Sequence, residues 1–436
     1  MVGHHGRRAE DSVALPALGG SEGQCANLVW GKSLPVKGTG ATRSVGLSII
    51  GLDMTIAELH SNEDLRRHEF PVAAQKIFLG HAGVCPLPRR VADAIAQYAS
   101  SATQGDQEAL LPLFKIQESR ELAAKILNAQ ADEIAFVGPT TLALNYVANG
   151  LSFRKRDNIL IYHDDYPSNV YPWMALAERG VEVRLMNVRE LGKIRAIDVQ
   201  GQVDENTRLV ALASCHFISG WRINIPAIGK YLRQQGIWFC IDGIQTVGAF
   251  PTTVEYVDFL AADAHKWLLG PCASGIFYVR KELQEVLKPT VLGWNNVRCP
   301  NYVAQEQLTL RPGAHRYEAG SDNLLGLVGL RAAMELLLEV GIDNIAAELL
   351  RKRAWLVPAI QEKGYTVLHP TAPPENASGI VTFFKAEADM KELHAKLEAA
   401  NIFASLRTDR RGQQYIRLSP HFYNTDEEMR RVLEQL

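Results

Sequence analysis

The chain has 436 residues, with 46 Lys and Arg against 48 Asp and Glu, a formal charge of -2 and 47% hydrophobic residues. That length supports a large core and two domains, and the balanced charge argues against a basic surface for nucleic acid or anionic membrane. No stretch reaches the roughly 18 consecutive apolar residues of a membrane span, so neither nucleic acid nor membrane is an expected partner. The six cysteines (Cys25, Cys85, Cys215, Cys240, Cys272 and Cys299) form no CxxC pair, which suits reduced thiols in a cytoplasmic protein.

Residues 1–53 are rich in Gly, Ser and Ala and keep no helical or strand period. Their apolar run over 44–52 is too short and too far in for a signal peptide. A disordered leader, or translated sequence upstream of a start at Met54, is the expectation. From there the periodicity predicts helices over 55–68, 89–99 and 113–127, a strand over 133–137, and a turn, Gly138-Pro139-Thr140-Thr141, into a helix over 142–150. Strands at 158–162, 181–186, 208–213, 237–241, 258–262 and 275–279 alternate with helices at 172–179 and 225–235. Strands separated by helices imply a mostly parallel sheet covered on both faces. Helices at 323–340 and 344–363, a strand at 380–384, a helix at 390–400, a strand at 415–418 and a helix at 425–436 read as a smaller α+β domain. The expected division is an N-terminal arm at 54–77 joining the small domain, a large domain at 78–322 and the small domain at 323–436.

In an open α/β sheet, ligands bind beyond the carboxyl ends of the strands. Those ends carry Thr140 and Thr141, Asp165 and Tyr166, Ser214 and His216, Asp242 and Gln245, and His265 and Lys266. Each alone has a plain structural reading; Lys266 could be a snorkelling lysine in a strand-to-loop corner. Together they match the needs of pyridoxal phosphate (PLP): an amine for a Schiff base, a carboxylate at the ring nitrogen, an anion site and a stacking partner. Lys266 supplies the amine, Asp242 the carboxylate and Gln245 a contact to the phenolic oxygen. Thr140 and Thr141, at a helix N-terminus, hold the phosphate, His265 adds a donor to it, and Tyr166 lies on the ring.

Asp242-Gly-Ile-Gln245 followed by Asp263-Ala-His265-Lys266-Trp267-Leu-Leu-Gly-Pro271 resembles the class V aminotransferase family of PLP enzymes, which includes cysteine desulfurases, selenocysteine lyases, cystine C–S lyases and isopenicillin-epimerase-like proteins. Supporting segments are Gly138-Pro-Thr-Thr141, Asp165-Tyr-Pro-Ser-Asn-Val-Tyr-Pro-Trp173, Tyr317-Glu-Ala-Gly-Ser321 and Arg417-Leu-Ser-Pro-His-Phe-Tyr-Asn424, so the likeness runs from about Phe78 to the C-terminus. It implies the PLP-dependent transferase fold (aspartate-aminotransferase-like, fold type I), a large, mostly parallel sheet domain with a smaller α+β C-terminal domain. It also implies Lys266 as Schiff-base lysine, Asp242 at the pyridinium, Gln245 at the ring oxygen and Thr140 and Thr141 at the phosphate. Arg417 falls at the arginine that binds the substrate α-carboxylate, although a solvated strand arginine is the alternative. His216 falls near the cofactor ring, although a core histidine bonded to backbone fits equally. Relatives are homodimers, and the segment from Gly293-Trp-Asn-Asn296 to Glu318-Ala-Gly-Ser321 is the expected source of the contact to the partner's site.

Two departures bear on function. Tyr166 stands where desulfurases stack a histidine on the ring. The loop Arg407-Thr-Asp-Arg-Arg-Gly-Gln-Gln414 has no cysteine where desulfurases carry their nucleophile, which argues against a persulfide-forming desulfurase. Asp263, where relatives often have Ser or Thr, would repel phosphate and is expected to face another group. The resemblance therefore implies a PLP enzyme acting on an α-amino acid. A C–S lyase on a cysteine-like substrate is favoured, with aminotransferase or epimerase as alternatives and a non-catalytic PLP-binding homologue as a different class. A nucleotide-binding protein is excluded, since no GxGxxG or Walker loop follows an early strand.

Overall fold

Two sheets divide the work of positioning the site in the structure, a computed structural model that describes residues 54–436. The expected leader, residues 1–53, lies outside the described residues. A short strand β1 (Ile77–Phe78) comes first. Then β2 (Ile134–Val137), β3 (Asn158–Ile161), β4 (Glu182–Leu185), β5 (Thr207–Ala213), β6 (Trp238–Asp242), β7 (Phe259–Asp263) and β8 (Gly275–Val279) form a seven-stranded sheet. Its order is β2-β8-β7-β6-β5-β3-β4. The pairs among β3 to β7 are parallel, and β8 alone runs against its neighbours β2 and β7.

The central strands read as continuous apolar runs because both faces are buried. Successive side chains point to opposite faces. Val210, Leu212, Phe239, Ile241, Leu260 and Ala262 enter one core with helices Ile225–Gln234 and Leu324–Val340. Leu209, Ala211, Cys240, Phe259 and Ala261 enter the other with helix Thr140–Gly150. The sheet is thereby clamped, and its strand ends become fixed points for chemistry.

The second sheet comprises β9 (Thr366–Val367), β10 (Val381–Phe384), β12 (Ser405–Thr408) and β13 (Gln414–Leu418), antiparallel in the order β12-β13-β10-β9. Helices Ile342–Glu362, Met390–Ala399 and Asp426–Gln435 contribute Leu356, Ile360, Leu393, Leu397, Met429 and Val432 to the core that backs it. β11 (Ile402–Phe403) pairs instead with β1, in parallel, and Gly80 bridges Ser419. The chain around 77–83 thus crosses to this layer and passes over the strand ends of the large sheet.

The differences from the expected elements have local causes. The helix expected over 55–68 is two, Ile56–Ser61 and Glu63–Glu69, because Asn62 is extended and its side chain accepts from the Leu65 N–H at 3.0 Å, restarting the helix as a cap. The helix expected from 142 begins at Thr140, directly after Pro139. The segment 171–179 is a turn of α-helix followed by 3-10 turns, ending at Gly180 with φ +79°.

Candidate functional site

Lys266 lies just past β7, 7% exposed. The loop that presents it is tied down by Asp263. That carboxylate accepts from the backbone N–H groups of Ala264 (2.8 Å), Ser274 (2.9 Å) and Ala273 (3.1 Å), and from His265 Nδ1 (2.8 Å). Burial works to raise the Asp263 pKa, but these donors outweigh it and hold the group below its ordinary value. The Asp263 carboxylate therefore faces its own loop. The Lys266 amine makes no hydrogen bond among the described residues and sits 5.2 Å from the centroid of the Tyr166 ring. Burial pushes it down to about 8; the charge of Asp242 opposes the shift, and Arg417 and Arg407 add to it.

Asp242, at the end of β6, is 2% exposed, and a single hydrogen bond, from the Ile244 N–H at 3.1 Å, reaches its carboxylate among the described residues. Burial raises its pKa, with Lys266 the chief opposing charge. Gln245 accepts from Trp267 Nε1 at 2.8 Å and donates to the Ala82 carbonyl at 3.1 Å, which leaves one amide proton unspent. A neighbouring acid not singled out as a site residue from the sequence, Asp165, is held by Tyr166 N–H, Asn169 Nδ2 and Ala213 N–H. Burial, and then the charge of Asp242, push it up to about 7. Its Asp165-x-x-x-Asn169-x-x-x-Trp173 spacing, linked by the Trp173 Nε1 donation to Asn169 at 3.0 Å, was the available signal.

The turn at 138–141 opens a helix whose N-terminus has no side-chain cap, so its first N–H groups stay available to an anion. The Thr140 hydroxyl accepts from the Asp263 N–H at 2.9 Å, and the Thr141 hydroxyl donates to Ser168 Oγ at 2.8 Å. Ser168 is thereby a polar neighbour that sequence reasoning missed. His265 gives its Nδ1 proton to Asp263, so only Nε2 faces outward, and it donates only as imidazolium.

His216 is bonded to the protein through both ring nitrogens. Nε2 donates to the Asp164 carbonyl at 3.0 Å, and Nδ1 accepts from the Ser219 N–H at 3.1 Å beside Ser219 Oγ at 3.0 Å. Burial drives its pKa down to about 4. Both nitrogens are spent on the protein, so His216 has no ring nitrogen left to bond a ligand.

Arg417, on β13, is 1% exposed. Nη1 donates to the Phe217 carbonyl (2.6 Å) and Nη2 to Ser405 Oγ (3.3 Å), while Nε has no partner. Among the described residues no carboxylate pairs with it. Burial drives its pKa well below the usual guanidinium range, so the fold holds a buried cation that lacks its anion. The described residues hold no group of three or more His, Cys, Asp or Glu able to take a metal ion, and no helix long and apolar enough to cross a membrane.

The profile of the class-V aminotransferase family matches residues 77–432, and the chain belongs to that family, whose members are PLP-dependent enzymes. A probable cysteine desulfurase of Methanothermobacter thermautotrophicus is 29% identical over 397 residues, covering 86% of this chain and 97% of that protein. The solved cysteine desulfurase of Thermococcus onnurineus superposes with a TM-score of 0.78 at 23% identity, over 85% of this chain and 96% of that one. A cystine C–S lyase solved with its reaction product cysteine persulfide gives 0.75 at 23% identity, over 84% and 98%. The fold is that of the fold type I PLP-dependent transferases.

Proposed function

We propose that this chain is a PLP-dependent C–S lyase that eliminates the β-substituent of a cysteine-like amino acid. The observation that carries the reading is the buried, unbonded Lys266 amine under the charge of Asp242, with the unpaired Arg417 close enough to act on it. The residues fit the cofactor: an under-bonded carboxylate, an uncapped helix start and an amine without a partner are what ring nitrogen, phosphate and carbonyl carbon require. Bound PLP would supply an electron sink for negative charge at the substrate Cα.

The chain's own residues do the rest. Lys266 holds the cofactor and then moves the proton at Cα, a task suited to an amine whose pKa burial has brought near neutrality. Asp242 would keep the ring nitrogen protonated, and Gln245 has a spare N–H that would serve the ring oxygen. The Thr140–Thr141 turn would hold the phosphate, assisted by His265, and Tyr166 would cover the ring. Arg417 fixes the substrate α-carboxylate and so orients the Cα proton toward Lys266.

Release, as opposed to sulfur transfer to the protein, is supported by the thiols. The hairpin tip 409–413 has none, Cys85, Cys215 and Cys240 are buried with burial raising their pKa values, and the exposed Cys272, in the turn after Lys266, is also raised, by partial burial and the charge of Asp263. Incubation of the holoenzyme with an amino-acid panel and no keto acid tests the reading. A lyase accumulates pyruvate over many turnovers. A single conversion that stops until a keto acid is added identifies an aminotransferase and overturns it.

The same reading includes a homodimer in the cytoplasm. Free thiols support a reducing compartment. Apolar side chains exposed on two segments, Leu113 at 72%, Phe114 at 59%, Tyr302 at 75% and Leu308 at 64%, support a partner surface. Light scattering should give twice the chain mass; a monomer at micromolar concentration would contradict it.

A further inference from the structure

A second cleft, lined by none of the residues given to the cofactor, holds two opposite charges that do not meet. It measures about 250 Å³, and Arg222 and Glu375 are its only charged side chains. Among the described residues neither makes an ion pair, and Glu375 is the one carboxylate whose charge reaches Arg222.

Arg222 is fixed in place. Its Nε donates to the Ala377 carbonyl and its Nη2 to the Pro374 carbonyl at 2.6 Å, and the guanidinium lies 3.9 Å from the centroid of the Phe250 ring. The backbone repeats the tie: the Arg222 N–H donates to the Asn376 carbonyl at 2.8 Å, and Asn376 Nδ2 to the Arg222 carbonyl at 2.7 Å. The wall that carries both charges is therefore formed before any ligand arrives. Carbonyls solvate a guanidinium without neutralising it, and Nη1 donates to no described residue. Glu375 is exposed in the turn that Arg222 holds. Ile223, Ile225, Pro226 and Pro251 give the cleft an apolar wall. A bare anion there would meet Glu375, and a bare cation would meet Arg222. A ligand carrying both charges satisfies both.

The cleft also reaches the cofactor turns from behind. Ser214 and Thr246 line it, hydroxyl to hydroxyl at 2.9 Å. The Ser214 N–H donates to the Asp242 carbonyl at 2.9 Å, and Thr246 directly follows Gln245.

We propose that this cleft is an effector site for an α-amino acid with a short apolar side chain, its carboxylate on Arg222, its ammonium at Glu375 and its side chain on the isoleucine and proline wall. Occupancy couples to the cofactor site through Ser214 and Thr246.

Calorimetric titration of the holoenzyme with L-leucine tests the site, against isocaproate, which lacks the ammonium, and isoamylamine, which lacks the carboxylate. L-leucine should bind at least about tenfold more tightly than either, the scale of one charge-assisted contact. Arg222→Gln and Glu375→Gln should each erase that advantage, and Arg222→Lys should restore part of it. Glu375 is exposed, so its variant keeps the test open should Arg222→Gln fail to fold. Arg417→Gln, in the cofactor site, should leave the binding unchanged. Three ligands of equal affinity, or L-leucine binding lost in Arg417→Gln and kept in Glu375→Gln, would overturn the site. Saturating L-leucine should also change the KM for substrate in the wild type and less in Glu375→Gln; an equal response in both would be competition at the cofactor site and would overturn the effector role.

Discussion

Lys266→Ala should lower turnover by at least about 10³-fold, the scale of losing a positioned general base, and should remove the visible absorption band of lysine-bound cofactor. Its effect on the fold runs the opposite way. The amine has an ordinary pKa of 10.5 in the unfolded chain and about 8 in the folded one. Between those values the unfolded state binds more protons, so stability rises with pH across that window; below about 8 the buried charge is a full penalty. Denaturant unfolding of cofactor-free protein at pH 7 and pH 9.5 should show the wild type gaining on Lys266→Ala as pH rises. A variant that keeps both band and turnover, or a stability difference independent of pH, would contradict the role given to Lys266.

The second large effect is expected from Asp242→Asn. The side chain keeps its shape but loses the charge that faces the ring nitrogen, which should cost about 10²–10³-fold in kcat, as for loss of one preorganised electrostatic contact. Two further signatures separate this from a folding defect. Asp242 holds the Lys266 pKa up and pushes the Asp165 pKa up. In the variant both should titrate lower, moving the pH–rate profile toward acid. An unshifted profile with full activity would mean that Asp242 is a structural carboxylate.

The parts of this architecture written locally were legible in the chain. β5, β6 and β7 are apolar on both faces, so they announce buried strands, and the polar residues that end them announce one edge. Direction is not carried by such a run: nothing in Gly275–Val279 marks β8 as the strand that runs backwards. The pairs β1 and β9 are two residues long and exist only through partners more than ten residues away. The same limit governed the site. Asp263 looked like a threat to phosphate because its donors at 273 and 274 are ten and eleven residues downstream. His216 looked available because Asp164 is remote in sequence. Arg407 stood in the sequence only as the start of a cysteine-free loop, and the hairpin register is what puts it on the same face as Arg417.

The central claim is that one amine, Lys266, holds the cofactor. Borohydride reduction of the holoenzyme fixes the cofactor to the lysine that carries it, and peptide mapping by mass spectrometry then reads the position. The label should appear on the peptide containing Ala264-His265-Lys266-Trp267 and nowhere else. A label on another lysine, or none on a protein that retains turnover, would contradict the account.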